Sequence, residues 1–184
     1  DDEYYGNGTR LLPVAEAADA VGMQLYINTF GDDGYNIASK LEDLLEHPSV
    51  KGIYLCDEPH PTIFDRLAES VRVLYERLPA AKKLTMGANL YPAAAMGGGI
   101  RNYDAVCAYI EKIKPDFLCW DSYPFSSRTA ANSQLPDFLA NLLQMQILAE
   151  EADLPLYTFI QTSAFEGRQS PSTEQLRLLM NSAL

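Results

Sequence analysis

Asp57 and Glu58 stand side by side, directly after the apolar run Gly52–Cys56 and directly before Pro59. A third acid, Asp121, closes a second apolar run, Asp116-Phe-Leu-Cys-Trp-Asp121, and is followed by Ser122-Tyr-Pro-Phe125. A carboxyl taken out of water gains proton affinity, and a carboxylate beside it adds to the gain. This is how a protein keeps a proton donor charged with its proton near neutral pH. Paired acids at the ends of buried strands therefore suit general acid–base hydrolysis. Two other uses fit the same residue types. Asp57 can cap the following helix while Glu58 sits in a solvated loop, and the three carboxyls together are hard oxygen donors of the kind that Mg²⁺ or Mn²⁺ takes.

Acids so far apart in sequence act together only if the fold gathers them. Helical spacing of apolar residues predicts helices over Arg10–Val21, Asn36–Glu46 (capped by Asn36), Pro61–Leu78, Tyr103–Ile113, Pro136–Ala152 and Thr173–Leu184. Ser172 caps the last of these, with Gln175 at the capping-box position. Between them lie short apolar stretches that read as strands: Met23–Asn28, Gly52–Cys56, Lys83–Asn89, Asp116–Asp121 and Leu156–Gln161. The second of these is apolar enough to expect cover on both faces. Strands that alternate with helices in this way make a parallel sheet. Each strand ends in polar residues on one side: Asn28, Asp57 with Glu58, Asn89, Asp121 and Gln161. A doubly wound sheet uses one switch point for its ligand, whereas in a (β/α)₈ barrel every strand end faces one pocket. The expected fold is α/β, of the (β/α)₈ TIM-barrel type. A full barrel takes about 250 residues, and 184 residues carry five βα units. The expectation is one domain over 1–184 that forms a partial barrel, truncated at both ends; a smaller open α/β sheet is the alternative.

The net charge of −11 argues against nucleic acid and anionic membrane as partners. No apolar run is long enough to span a bilayer, and Asp1-Asp-Glu-Tyr-Tyr5 does not read as a signal peptide. Cys56, Cys107 and Cys119 lack metal-ligand spacing and read as small buried residues. Gly97-Gly-Gly99 is not followed by Lys-Ser/Thr, so it is no phosphate cradle. His47 and His60 are isolated beside prolines and read as surface residues. No cofactor and no resident metal are expected.

Asp57-Glu-Pro59, Asn89-Leu-Tyr-Pro92, Pro115-Asp-Phe-Leu-Cys-Trp-Asp-Ser-Tyr-Pro124 and Phe159-Ile-Gln161, taken together, resemble the barrels of bacterial glycoside hydrolases related to the clan A β-galactosidase-like enzymes. The resemblance runs from about Leu11 to Leu184 and is most specific at Asp-Glu-Pro and Asp-Ser-Tyr-Pro. It implies strands three to seven of eight, with Glu58 in the place of the acid/base glutamate. It implies an oligosaccharide or polysaccharide as partner, met by Asn28, Asn89, Tyr91, Trp120, Tyr123 and Gln161, and an extracellular or periplasmic location. One position departs from the pattern. The clan's nucleophilic glutamate ends the seventh strand, where this chain has Gln161, and an amide cannot take that role. Three replacements remain: Asp121 across the mouth; Asp57 as the neighbour that orients a substrate acetamido group, as in substrate-assisted hexosaminidases; or Glu166 from its loop beside Arg168. Asp121 in turn has ion-pair candidates in Arg101 and Arg128. A degenerate barrel that binds carbohydrate without turnover is the rival, and Gln161 favours it. The separation of the Glu58 and Asp121 carboxyls discriminates, since about 5–5.5 Å suits retention and about 6.5–9.5 Å suits inversion.

Overall fold

Among the described residues, each strand of the sheet pairs, in parallel, with the strand next in sequence, giving the order β1-β2-β3-β4-β5. In this computed structural model, residues 8–29, 31–92, 103–125, 134–165 and 167–183 are described. The strands are β1 (Leu25–Asn28), β2 (Val50–Asp57), β3 (Thr85–Leu90), β4 (Leu118–Asp121) and β5 (Leu156–Phe159). The helices are α1 (Gly8–Val21), α2 (Gly34–Leu41), α3 (Phe64–Arg77), α4 (Tyr103–Ile113), α5 (Leu135–Glu151) and α6 (Thr173–Ala183). A doubly wound sheet must reverse its strand order somewhere to create a switch point. Here no strand leaves sequence order, so the sheet is the wall of a barrel, and the protein is a partial (β/α) barrel of five strands.

The helices bury one face of that wall. Ile53 and Leu55 of β2, Ala88 and Leu90 of β3 and Trp120 of β4 are all buried against Ile37, Leu41, Phe64, Leu67, Leu74 and Phe138 from the helices. The opposite face carries Gln24, Tyr26, Tyr54, Phe117, Cys119, Tyr157 and Phe159, which line an open hollow of about 330 Å³. Its rings meet edge to face, Tyr26 on Phe117 at 5.7 Å and Phe117 on Tyr157 at 5.4 Å. Such contacts are favourable, but Tyr26, Tyr157 and Phe159 stay 43, 52 and 46% exposed. The expected cover on both faces is therefore absent on the inner side, where no described element lies over these rings.

Local chemistry explains where the elements start and stop. The cap of α2 is Asp33, whose Oδ1 accepts from the Asn36 amide at 2.9 Å, not Asn36 itself. This helix ends at Leu41, five residues before the expected Glu46, although Leu44 and Leu45 remain buried in the turns that follow. Asp57 caps nothing. It is the last residue of β2, and His60 Nδ1 caps the 3₁₀ turn Pro61–Ile63 that leads into α3. The capping box of α6 forms as expected, with Ser172 N donating to Gln175 Oε1 at 2.8 Å and Gln175 N to Ser172 Oγ at 3.3 Å. One expectation of burial fails: Cys107 is exposed, while Cys119 is buried and Cys56 half-buried. The glycine-rich run 93–99 lies outside the described residues.

Helices α2 and α3 pack closely enough that Gly34 has no room for a side chain. A Cβ there would stand 2.2 Å from the Ser70 carbonyl oxygen and 2.7 Å from the Leu74 nitrogen, both backbone atoms of α3. Gly34→Ala should therefore lower stability by about 2 kcal/mol or more, as overpacking does when the backbone must move. Gly22→Ala meets nothing within 4 Å and bears only the cost of φ +69°, about 1 kcal/mol. Urea unfolding of both variants checks the order; an equal or smaller loss for Gly34→Ala would contradict the packing.

Candidate active site

Register brings the carboxyls together. Asp57 pairs with Asn89 across β2 and β3, Asn89 pairs with Cys119 across β3 and β4, and Asp121 pairs with Phe159 across β4 and β5. Strand ends so aligned present Asp57, Glu58, Tyr91 and Asp121 at one mouth. Glu58 is the first residue past β2. Its amide still donates to the Asn89 carbonyl at 2.8 Å, but its φ is +46°, in the left-handed region. A glutamate rarely adopts that conformation, and one followed by proline is steered toward extended backbone. Such strain, of order 1–3 kcal/mol, persists where the surroundings over-determine it, and it clusters at functional sites.

Glu58 opens into a pocket of about 360 Å³ that it shares with Tyr91, Asp121 and Tyr123. Asp137 and Asn141 of α5 form another wall, and Arg168, from the segment between β5 and α6, completes it with Pro92, Ser122 and Gln134. The Glu58 and Asp121 carboxyls hydrogen-bond to each other, Tyr91 hydrogen-bonds to Glu58, and Tyr123 hydrogen-bonds to Asp121. Burial above all, then the Asp121 charge, that hydrogen bond and the Asp57 charge push the Glu58 carboxyl up to about 7, while the Tyr91 bond pulls the other way. Glu58 therefore holds a proton near neutral pH. The phenols respond in kind: the Glu58 charge raises Tyr91, and burial followed by the Asp121 charge raises Tyr123.

Asp57 is held separately. Its Oδ1 accepts from Tyr54 Oη at 2.9 Å and from Asn89 Nδ2 at 3.1 Å. Burial, together with the charges of Asp121 and Asp57, raises the nearby Cys119 thiol to about 12, so it stays protonated and inert.

Of the residues expected to meet a sugar, Tyr91 and Tyr123 line the pocket. The others serve elsewhere. Trp120 is fully buried and stacks on Phe138 at 5.7 Å, so it belongs to the core between β4 and α5 and offers no face to a ligand. Asn89 is buried and spends its amide on Asp57 and on the Cys119 thiol. Asn28 ends β1, with two strands between it and the strand of Asp121, and lines no part of this pocket. Gln161 is 1% exposed: its Nε2 donates to the carbonyls of Phe125 and Gln169 at 2.9 and 2.7 Å, and its Oε1 accepts from the Phe125 amide at 3.1 Å. The amide is a clamp between two loops. Glu166, Arg101 and Arg128 lie outside the described residues. Among the described residues, no three His, Cys, Asp or Glu side chains are grouped to hold a metal.

Sequence reasoning did not single out Asp137 and Asn141. A signal existed: Asn141 is a polar residue in register with Phe138, Leu142 and Met145 on the buried stripe of α5. Its spacing of four from Asp137 puts both on the face that meets the pocket.

Among solved structures, a β-glucuronidase of Lactobacillus rhamnosus superposes with a TM-score of 0.57 at 14% identity, over 92% of this chain and 32% of that one. A Ruminococcus gnavus β-glucuronidase in complex with an N1-substituted uronic isofagomine aligns at 18% identity with a TM-score of 0.46, over 81% of this chain and 25% of that one. The likeness shows the fold alone: this chain is part of a TIM-type barrel. It spans about a third of the length of the Lactobacillus enzyme. No protein-family model and no curated protein matches the chain.

Two outcomes follow from this geometry. Gln161→Glu removes both donors and sets a carboxylate against two carbonyl oxygens, so it should cost about 2 kcal/mol or more in urea unfolding and create no hydrolytic activity. A stable Gln161→Glu protein would show that the clamp carries no weight. Glu58 behaves oppositely. Because the fold raises its proton affinity from 4.5 to about 7, the stability it contributes is full below about pH 4.5, declines as pH rises, and is lost above about pH 7. Replacing it by Gln removes that decline, so the melting temperature of Glu58→Gln relative to wild type should rise between pH 4.5 and pH 8. A difference that is constant over this range would mean that Glu58 is not perturbed.

Proposed function

We propose that the protein is a glycoside hydrolase acting on an O-linked glycan, with Glu58 as its general acid. The observation that carries this reading is a carboxyl that holds its proton to about pH 7 inside the pocket at the mouth of a glycosidase-like barrel. Glu58 gives its proton to the glycosidic oxygen as the bond to the anomeric carbon breaks, and the electron pair leaves with that oxygen. The carboxylate that results is met by the Tyr91 hydrogen bond.

Asp121 supports this step but does not oppose it. An attacking carboxylate stands about 5–5.5 Å from the acid, and a base that activates water about 6.5–9.5 Å from it, so that the sugar fits between. Asp121 is in hydrogen-bonding contact with Glu58, which leaves no room for a ring. Its part is to keep the proton on Glu58. Asp57, fixed by Tyr54 and Asn89, is then the carboxylate beside Glu58, next to the pocket and not in its lining. Its role in the proposal is to orient a substrate acetamido group for attack from within the substrate.

The contact between the two carboxyls, with an amide at position 161, also favours a second reading, a barrel that binds carbohydrate without turning it over. Hydrolysis of an alkyl glycoside by wild type, Glu58→Gln and Asp121→Asn separates the two. In the hydrolase reading, Glu58→Gln loses about 10²–10⁴ in rate on a substrate whose leaving group needs protonation. Asp121→Asn shifts the alkaline limb of the pH profile downward, because the charge that raises Glu58 is gone. Sugar binding of equal strength in all three proteins, with no turnover in any, would leave the binding barrel.

A further inference from the structure

A separate cavity lies at the other end of the sheet, where β2 and β3 begin. It measures about 300 Å³, and its polar lining is Glu46, His47, Lys51 and Lys83. Because β2 runs from Val50 to Asp57, at about 3.3 Å per residue this cavity is about 20 Å from the mouth that holds Glu58. The segment that leads into β2 is tied down along its length. His47 N donates to the Leu44 carbonyl at 3.1 Å, Val50 N to the His47 carbonyl at 3.0 Å, Leu25 N to the Ser49 carbonyl at 2.8 Å and Ser49 N to Asp19 Oδ1 at 2.6 Å. The other oxygen of Asp19 holds His47 Nδ1 at 2.8 Å, which orients the ring and leaves Nε2 without a partner among the described residues. Lys51 is the second residue of β2, and Lys83 ends the 3₁₀ turn Pro79–Lys83 just ahead of β3. The two strands are parallel neighbours with Gly52 against Thr85, so both lysines stand at the same end of the wall. Neither is in an ion pair among the described residues, although the chain has 25 Asp and Glu against 14 Lys and Arg.

We propose that this cavity binds a phosphate group, free or as a monoester, between Lys51 and Lys83, with the ring edge of His47 as a third contact. Ammonium groups take phosphate oxygens as point charges. Two of them match the charge of about −1.5 to −2 that a phosphate carries near pH 7, whereas a carboxylate brings a single charge. Glu46 is the one acid of the lining, and among the described residues no three His, Cys, Asp or Glu side chains gather to hold a metal, so the donor set suits an anion and not a cation. Lys51 and Lys83 are exposed, which makes the binding weak and dependent on salt. It does not depend on what happens at Glu58.

The test is a ¹H–¹⁵N NMR titration of the protein with inorganic phosphate near neutral pH, with ionic strength held constant by sodium chloride. In wild type the amide shifts should be confined to the residues around 46–51 and 83–84 and should saturate, and acetate should bind more weakly than phosphate. Lys51→Met and Lys83→Met should each weaken phosphate by about fivefold, the upper range for one exposed ion pair. Lys82→Met removes an equal charge from the next residue, whose ammonium lies 5.8 Å from the centre of the Tyr75 ring and which lines no part of the cavity; it should leave the affinity unchanged. Because neither cavity lysine has an ion-pair partner to lose, the spectra of the variants without phosphate should match that of wild type away from the substituted residue. Shifts spread over the whole surface, acetate bound as tightly as phosphate, or equal losses in all three variants would overturn the site and leave only diffuse attraction to positive charge. Glucose 6-phosphate, titrated in the same way, separates the two sources. Tighter binding than inorganic phosphate identifies a monoester as the ligand, and weaker binding identifies the free ion.

Discussion

Two carboxyls in contact within a partly buried mouth carry one negative charge between them far more readily than two. That constraint links every feature of the site. After burial, it is the largest reason that Glu58 is protonated near pH 7. It also requires that the scaffold hold the carboxyls together against their repulsion once both are ionised. The scaffold does so through register. A parallel wall in strict sequence order puts β2 and β4 either side of β3, and the pairings Asp57–Asn89 and Asn89–Cys119 align the ends of all three. The backbone at Glu58 is left-handed, and its side chain lines the pocket while that of Asp57 does not.

The architecture was legible because it is periodic. Alternation of short apolar runs with amphipathic stretches gave five strands and six helices near their observed bounds, and the polar residue at each strand end pointed to a barrel over a doubly wound sheet. The site was legible only in part. Asp57, Glu58 and Asp121 stood out because acids that end apolar runs are unusual. What each side chain does depends on contacts that no local pattern encodes. Trp120 and Tyr123 are three residues apart and equally plausible as sugar platforms. One is sealed between β4 and α5, whereas the other lines the pocket. Likewise His60, and not Asp57, caps the turn before α3. A histidine acts as a cap only when the chain already bends to bring its ring over the next amide.

Gln161 shows how one position can be misread from its place in a strand. Two residues beyond β5 it stands where the resemblance calls for a nucleophile, and as an amide it invites the conclusion that function has been lost. Its surroundings give it other work. An amide offers both donor and acceptor, and Gln161 uses them on the Phe125 carbonyl, the Phe125 amide and the Gln169 carbonyl. Phe125 lies two residues beyond Tyr123, and Gln169 directly follows Arg168. The clamp therefore fixes both loops that complete the pocket wall. A carboxylate at 161 would supply no donor for either carbonyl, and burial would make each unmet oxygen costly. The chemical demands of a nucleophile and of this clamp exclude each other at one atom set.

It follows that a chemical role, where this mouth has one, belongs to the ends of β2 and β4, with β5 supplying structure. Backbone strain agrees with that division. The site's one left-handed non-glycine residue is Glu58, and neither Asp121 nor Gln161 shares that conformation. A fold keeps an unfavourable conformation of this size only where surrounding bonds hold it, and Glu58 has such bonds: its amide to Asn89, and its carboxyl to Asp121 and Tyr91. Of these bonds, the one to Asp121 adds to the burial that raises the proton affinity of Glu58, while the Tyr91 bond opposes it.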